Sequence, residues 1–486
     1  MSTPAVSELE QVSFGNARLV IVGLSVFGAA LSLFIEPVLA PLLLLLPTLI
    51  VVSERSDHDA VTFLTVVVVA LVMIPAGQVV GPLGSAGRPA GLLGMVALWW
   101  WAHAHLVADS GVDRALQPVR ISALLFLGAV VASYAAAFVR PIDPLEARAA
   151  DRGLMALLGF LGALLLAADG IVDRTRLEVL LRRMVMAGAF LASLALLQFF
   201  TGVGLGTVFN IPGLQELSEI QGIQDRSTFN RVSATASHPI ELGVVLGMLF
   251  PLAVHFALHS GRRIQWVYVG LIAMAVPMSV SRSGTMALAI GALVLWLSWP
   301  AALKARSVAI AGAFVVAMRL VVPGLIGTIR SLFTSWFVDD SIKGRTSDYP
   351  LVGRYFAESP VVGRGLGTFL PDRYMFLDNQ YLGLLIETGA LGTVLFLGVI
   401  ATGYASARGS RRFADDRTRS LGQALAAGIL AASISAATFD LFAFGMASGF
   451  LFLLIGCAGA LWRLGRADRA RAAAPDVPVA AGREIS

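Results

Sequence analysis

Long apolar runs recur along nearly the whole chain, and they constrain the fold more than any other feature. They lie near 18–35, 37–53, 60–77, 89–108, 121–139, 154–169, 184–201, 239–258, 264–281, 283–299, 306–322, 381–402, 421–438 and 441–462. A helix needs about 20 apolar residues to cross a hydrocarbon layer of roughly 30 Å. The runs are continuous and do not alternate, which points to membrane helices and away from a barrel. Hydrophobic residues make up 57% and charged residues 14%, and mean hydropathy is +0.79, far from a soluble domain. The expected fold is all-α, a polytopic integral membrane helix bundle of about 12–14 transmembrane helices. Residues 1–466 form the expected membrane domain, and 467–486, rich in Ala, Arg, Pro and Asp, a disordered cytoplasmic tail.

Basic residues orient the bundle. Arg174, Arg176, Arg182 and Arg183 cluster together, as do Arg262 with Arg263, and Arg408, Arg411, Arg412, Arg417 and Arg419; a last group begins at Arg463. With the N-terminus inside, all of these fall on the cytoplasmic side, as the positive-inside rule requires. Both termini are then cytoplasmic. The net charge of +5 reflects orientation, and no nucleic-acid partner is expected. Polar residues 1–17 precede the first run and a second run follows at once, so the first is an anchor and not a cleaved signal. Cys457 is the lone cysteine and has no intramolecular partner.

Two long connections lie outside on this topology, residues 202–238 and 323–377. Connections beyond about 15 residues are usually functional or disordered. The second carries Arg330, Asp339, Asp340, Lys343, Arg345, Asp348, Arg354, Glu358, Arg364, Asp372 and Arg373, and Tyr349 to Ala357 is expected to form a short helix on the membrane. The loop returns to the membrane through Asp378-Asn379-Gln380-Tyr381-Leu382, leading to Glu387-Thr388-Gly389. Polar groups are thereby set at the mouth of a helix bundle.

Four further pieces accompany that stretch in order: Arg231 to His238-Pro239 entering a span, Ser281-Arg282-Ser283-Gly284 between spans, Arg345 in the large loop, and Ser359-Pro360 to Gly363-Arg364-Gly365-Leu366-Gly367. In this ordered set, over about residues 225–400, the chain resembles the O-antigen ligase/polymerase superfamily. That resemblance implies transfer of a polyprenyl-diphosphate-linked oligosaccharide at the outer face of a bacterial cytoplasmic membrane, without cofactor or metal. The implied partners are the lipid-linked glycan, the bilayer and other polysaccharide-assembly proteins. Ligases of the superfamily typically show a histidine before the asparagine of the last motif. Here the residue is Asp378, which favours the polymerase branch over a ligase that hands finished glycan to a lipid or protein acceptor.

The residue chemistry fits a diphosphate leaving group. Arginine is always ionised and grips phosphate oxygens in bidentate fashion; in a water-poor cleft each such donor contributes on the order of 3 kcal/mol to the transition state. Arg231, Arg282 and Arg345 all fall at the outer membrane level. Residues 264–299 would span about 54 Å as one helix, so Ser281-Arg282-Ser283-Gly284 is expected to be a tight outer turn. Arg282 there either snorkels to headgroups or reaches the site. Asp378 is a candidate base for the acceptor hydroxyl or, equally, an N-cap; Asn379 reads more readily as a cap. His238, Arg354, Asn379 and Tyr381 complete the expected substrate-binding set.

Other signals carry less. The glycine run 363–367 follows no evident strand and faces away from cytoplasmic nucleotides. His103 and His105 point to different helix faces, so no metal site is expected there. His255 and His259 share a face, and solvation at the inner interface is expected for them. Glu387 reads as lying inside a span, as a functional or a packing group. A lipid-linked-sugar transporter would show charges deep in spans and an internal repeat, and neither is evident.

Overall fold

The computed structural model describes residues 59–106, 116–203, 211–217, 225–226, 229–334, 349–412 and 415–473. Its helices are α1 Ala60–Met73, α2 Pro89–Leu106, α3 Pro118–Val139, α4 Pro144–Gly170, α5 Arg174–Thr201, α6 Pro239–His259, α7 Ile264–Met278, α8 Arg282–Ser298, α9 Ala301–Val321, α10 Leu325–Thr334, α11 Tyr349–Glu358, α12 Gln380–Glu387, α13 Gly389–Gly409, α14 Asp416–Ser435 and α15 Gly445–Ala473. Two short antiparallel ribbons complete the described part: β1 Gln78–Val79 pairs with β2 Gln215–Glu216, and β3 Asp225–Arg226 with β4 Phe229–Asn230. Among the described helices, eight are long and apolar enough to cross a membrane. The protein is a polytopic helical membrane protein.

The helix starts follow local chemistry. Asp59, Asp143, Asp173 and Asp415 accept backbone N–H groups at the starts of α1, α4, α5 and α14, satisfying donors that a helix leaves open. Proline stands at the first turn of α3, α4 and α6, where its missing N–H costs nothing.

α6 and α15 lie at the centre, with 89% and 94% of their apolar windows buried, while α9 has only 6% buried. Close approach comes from small residues. A Cβ added at Gly284 on α8 would lie 2.6 Å from the Gly243 Cα on α6, and one at Gly291 would lie 2.9 Å from the Pro251 ring. Such contacts bring backbones together where apolar burial offers no driving force, because lipid is as apolar as leucine.

Basic groups gather at one end. Arg176 pairs with Asp59, Arg417 with Glu178, Arg174 with Asp468 at 2.8 Å, and Arg120 with Asp169 at 3.1 Å. The starts of α4, α6, α8, α12 and α15 lie at the opposite end.

Several expectations are corrected. The turn between α7 and α8 is Ser279–Ser281, with Val280 at φ 47°; Arg282 is already the first residue of α8, because Ser281 caps the helix by accepting the Gly284 N–H at 3.2 Å. The span expected at 381–402 is broken at Thr388–Gly389, with Gly389 at φ 64°, so Glu387 sits at a bend and not within a crossing helix. His255 is buried and hydrogen-bonded to Ser420 at 2.9 Å, not solvated. Of the tail expected from 467, residues 467–473 are helical as the end of α15, and 474–486 lie outside the described residues. The loop 323–377 contains α10 in addition to the expected helix, which appears as Tyr349–Glu358.

The α6–α8 seam allows a direct check. Gly284→Val is expected to lower stability in detergent by about 1–3 kcal/mol through overpacking. Gly270→Ala, where an added Cβ meets nothing within 4 Å, should leave the melting temperature unchanged.

Candidate functional site

Four helix starts converge on the turn that joins α14 to α15, residues 435–447. The α8 start reaches it through the Ser283 and Thr438 hydroxyls, 2.7 Å apart, and through Ser435 Oγ, which donates to the Ser283 carbonyl at 3.3 Å. The α12 start reaches it through the Gln380 N–H, which donates to the Phe439 carbonyl at 3.1 Å, while Gln380 Oε1 accepts the Phe442 N–H at 2.6 Å. α6 contributes Glu241: one carboxylate oxygen accepts the Met446 and Ala447 N–H groups at 2.7 and 3.2 Å, and the other accepts the Ser237 N–H and hydroxyl at 2.8 and 2.7 Å. The start of α15 is thus held from the α6 side. Helix starts carry partial positive charge and favour anions nearby.

The predicted residues fall unevenly around this turn. Arg282, half-buried, precedes the Ser283 that touches Thr438. His238 packs its ring 5.9 Å from Phe444 of the turn, and its Nδ1 accepts the Ile240 N–H at 3.1 Å as the α6 cap. Arg231 is buried at the head of the segment ending in His238. That segment is fixed by Gln198, whose Oε1 accepts the Ser233 and Ala234 N–H groups at 3.2 and 2.8 Å, and by the Thr235 hydroxyl donating to the Val72 carbonyl at 2.7 Å. Arg354 is exposed on α11, and nothing joins it to the turn among the described residues. Arg345 lies outside the described residues.

The two readings of Asp378 separate here. Asn379, not Asp378, caps α12, its Oδ1 accepting the Tyr381 and Leu382 N–H groups at 3.0 and 3.4 Å. The exposed Asp378 carboxylate is left outside the cap. The Tyr381 hydroxyl donates to the Ser433 carbonyl at 2.6 Å, pinning α12 to α14.

A second carboxylate, missed in the sequence, stands beside Asp378. Asp440 occupies the turn itself and accepts the N–H groups of Phe442 and Ala443. Its side chain is open to solvent, yet protein crowds around it. That crowding, reinforced by the Asp378 charge and opposed by the two amides, pushes its carboxyl up to about 6. The signal in the sequence was a carboxylate in a connector of only a few residues between two apolar runs.

The large loop is riveted next to the site. Arg364 pairs with Glu146 at 3.5 Å, donates to the Tyr374 hydroxyl and lies 4.4 Å from the Tyr374 ring. Glu146 also pairs with Arg140 at 2.8 Å and accepts from Tyr374, and Arg373 pairs with Asp143 at 2.9 Å. Burial and the hydrogen bond to Glu146 hold the Tyr374 phenol above its ordinary range. The glycine run has a packing role. Gly363 takes φ 70° against the Glu387 carbonyl, and the Arg364 and Gly365 N–H groups donate to the Ile386 and Glu387 carbonyls at 3.2 and 2.8 Å. Glu387 in turn accepts the Phe369 N–H at 3.1 Å. Asp378 is therefore placed by a loop tied down on both sides of the α12 break.

Residues 267–397 match the family model described as O-Antigen ligase, a stretch that holds Arg282, the loop side of the rivet (Arg364, Arg373 and Tyr374) and the Asp378 motif. Over this stretch the chain is similar to the O-antigen ligase/polymerase superfamily, and the match supports that kinship. No curated protein matches the chain. The match supports glycan processing of the O-antigen ligase/polymerase type in general. Arg231, His238 and Asp440 lie outside the matched stretch, and Asp440 meets it in three dimensions at Asp378.

The cap assignment is testable by itself. Asn379→Ala is expected to cost about 1 kcal/mol of stability, whereas Asn379→Asp keeps the capping oxygen and should cost a few tenths at most. Thermal unfolding in detergent reads both.

Proposed function

We propose that this protein polymerises polyprenyl-diphosphate-linked oligosaccharide repeat units at the outer face of the cytoplasmic membrane. The observation that carries the reading is the meeting of the Arg282 helix start and the Asp378 segment on the single turn that holds Asp440. On this reading Arg282 serves a leaving diphosphate, and the carboxylates of Asp378 and Asp440 serve an incoming hydroxyl. The gathering of basic clusters at the opposite end supports an outward-facing site with both termini cytoplasmic.

In the proposed reaction, the donor diphosphate is held by Arg282, Arg231 and Arg345. A sugar hydroxyl of a second lipid-linked unit attacks the donor's anomeric carbon, and Asp378 takes the hydroxyl proton. The bond from the anomeric carbon to the diphosphate oxygen breaks, and polyprenyl diphosphate departs with its negative charge met by guanidinium groups. Asp440, beside Asp378, keeps a second carboxylate near the proton in flight. The reading calls for neither nucleotide nor metal. The description of the matched family favours a second reading, transfer of finished glycan to a lipid or protein acceptor. An in vitro assay offering both acceptor types separates the two.

Ala at Arg231, Arg282 or Arg345 is expected to cut chain growth about 100-fold each, the worth of one transition-state donor. Normal long-chain polymer from all three variants, seen on gels of lipid-linked glycan, would show this assignment to be wrong. An Asp378→Asn enzyme with full activity would likewise remove the base.

The pH dependence carries a sign. Asp440 has a raised carboxyl, so its proton returns as pH falls through about 6 and the charged form is lost below that point. Activity should therefore decline on the acid side along a limb near pH 6. The limb should vanish in Asp440→Asn; its persistence there would place the titrating group elsewhere.

A further inference from the structure

The segment that carries Asp378 into the site has two unlike faces. From Met375 to Asn379 the side chains alternate, half-buried at Met375, Leu377 and Asn379 and exposed at Phe376 and Asp378. Such alternation belongs to an extended chain lying on a packed surface. Met375 and Leu377 pack on the small apolar cluster of Val352, Phe369 and Ile386. Asn379 ends the segment with extended backbone, φ −158° and ψ 110°, and turns it into α12. Phe376 therefore shares its outward face with Asp378, and two residues of extended chain set their Cα atoms about 7 Å apart.

Phe376 stands outside the aromatic cluster of the loop. Phe369 and Tyr374 stack at 4.9 Å, and Tyr355 meets both edge-on at 5.1 and 5.5 Å. The Phe376 residue is left 73% exposed. Asp372 and Arg373 before it and Asp378 after it are exposed as well. A ring sunk into hydrocarbon would draw the Asp378 carboxylate, on the same face, in with it, which is costly. The strip suits instead a ligand that is apolar on one face and hydroxylated at its edge. A pyranose ring has that build: its C–H bonds present a weakly positive face to the negative face of an aromatic ring, and its hydroxyls lie around the rim.

We propose that Phe376 is a stacking platform for the acceptor sugar, holding flat the ring whose hydroxyl is delivered to Asp378. The assignment rests on the reading in which Asp378 takes that proton, and it adds a residue that selects the acceptor. Stacking fixes the plane of the sugar, and the spacing along the segment brings its rim over the carboxylate. Packing of Met375 and Leu377 below, and the α12 cap beyond, hold platform and base on one strip. A pyranose with an unbroken C–H face is accepted there, and one with axial substituents on both faces is held off.

The test uses full-length protein in nanodiscs and, as probe, the repeat-unit oligosaccharide released by mild acid from the host's lipid-linked glycan. Phe376→Ala is expected to raise the dissociation constant for this probe about tenfold, the worth of one aromatic stacking contact. It should slow chain growth at low concentrations of lipid-linked unit and leave the rate at saturation near wild type. Phe376→Tyr and Phe376→Trp keep a flat face and should bind within about threefold of wild type. Phe376→Leu keeps apolar area without the face and should behave as the Ala variant. The fluorescence difference between Phe376→Trp and wild-type protein should respond saturably to the oligosaccharide and not to brominated lipid. Phe376→Leu binding like wild type would overturn the proposal, as would quenching by brominated lipid alone or a wild-type protein with no saturable binding. Polymer made normally alongside any of these results leaves the functional reading standing. Wild-type protein that binds the oligosaccharide through Phe376 but makes no polymer would instead count against the functional reading alone.

Discussion

The Glu241 carboxylate is the interaction on which the rest of the architecture depends. It is fully buried, and both of its oxygens are occupied by N–H and hydroxyl donors from the starts of α6 and α15. A carboxylate in such a setting would cost several kcal/mol if left alone. Two helix starts, each with positive partial charge and open donors, offset that cost. Because α6 and α15 are the most enclosed of the long apolar helices, clamping their starts together sets the level of the whole end of the bundle. The turn before α15 then has a fixed position, and Ser283, Gln380 and His238 assemble around it.

Much of this was legible in the chain because it is local. Apolar runs announce the helices, Asp and Ser before them announce the starts, and proline at the first turn confirms them. Arg282 could be placed at a membrane boundary because residues 264–299 are too long for one crossing. Asn379 was recognisable as a cap from its position alone. The turn ends three residues earlier than expected because Ser281, and not Gly284, closes it.

The groups that complete the site were not legible, since they act over long separations. Glu241 meets Met446 across 205 positions, and Glu146 meets Tyr374 across 228. No periodicity or spacing carries such pairings. Asp440 reads in the sequence as an ordinary connector residue, and its surroundings become unusual only when Asp378 is folded beside it. The break after Glu387 was hidden for a related reason. Hydropathy runs through it without interruption, while the Gly363–Gly389 contact that demands it comes from a distant loop.

The near-naked flank of α9 gives the large loop two unlike moorings. At its far end, Arg364, Glu146 and Arg140 lock the chain to α3 and α4. At its near end, the loop leaves α9, of whose apolar window only 6% is buried, yet Val322 and Leu325 just beyond it are buried in the apolar core. The loop is therefore anchored by apolar packing where it departs and by ion pairs where it returns.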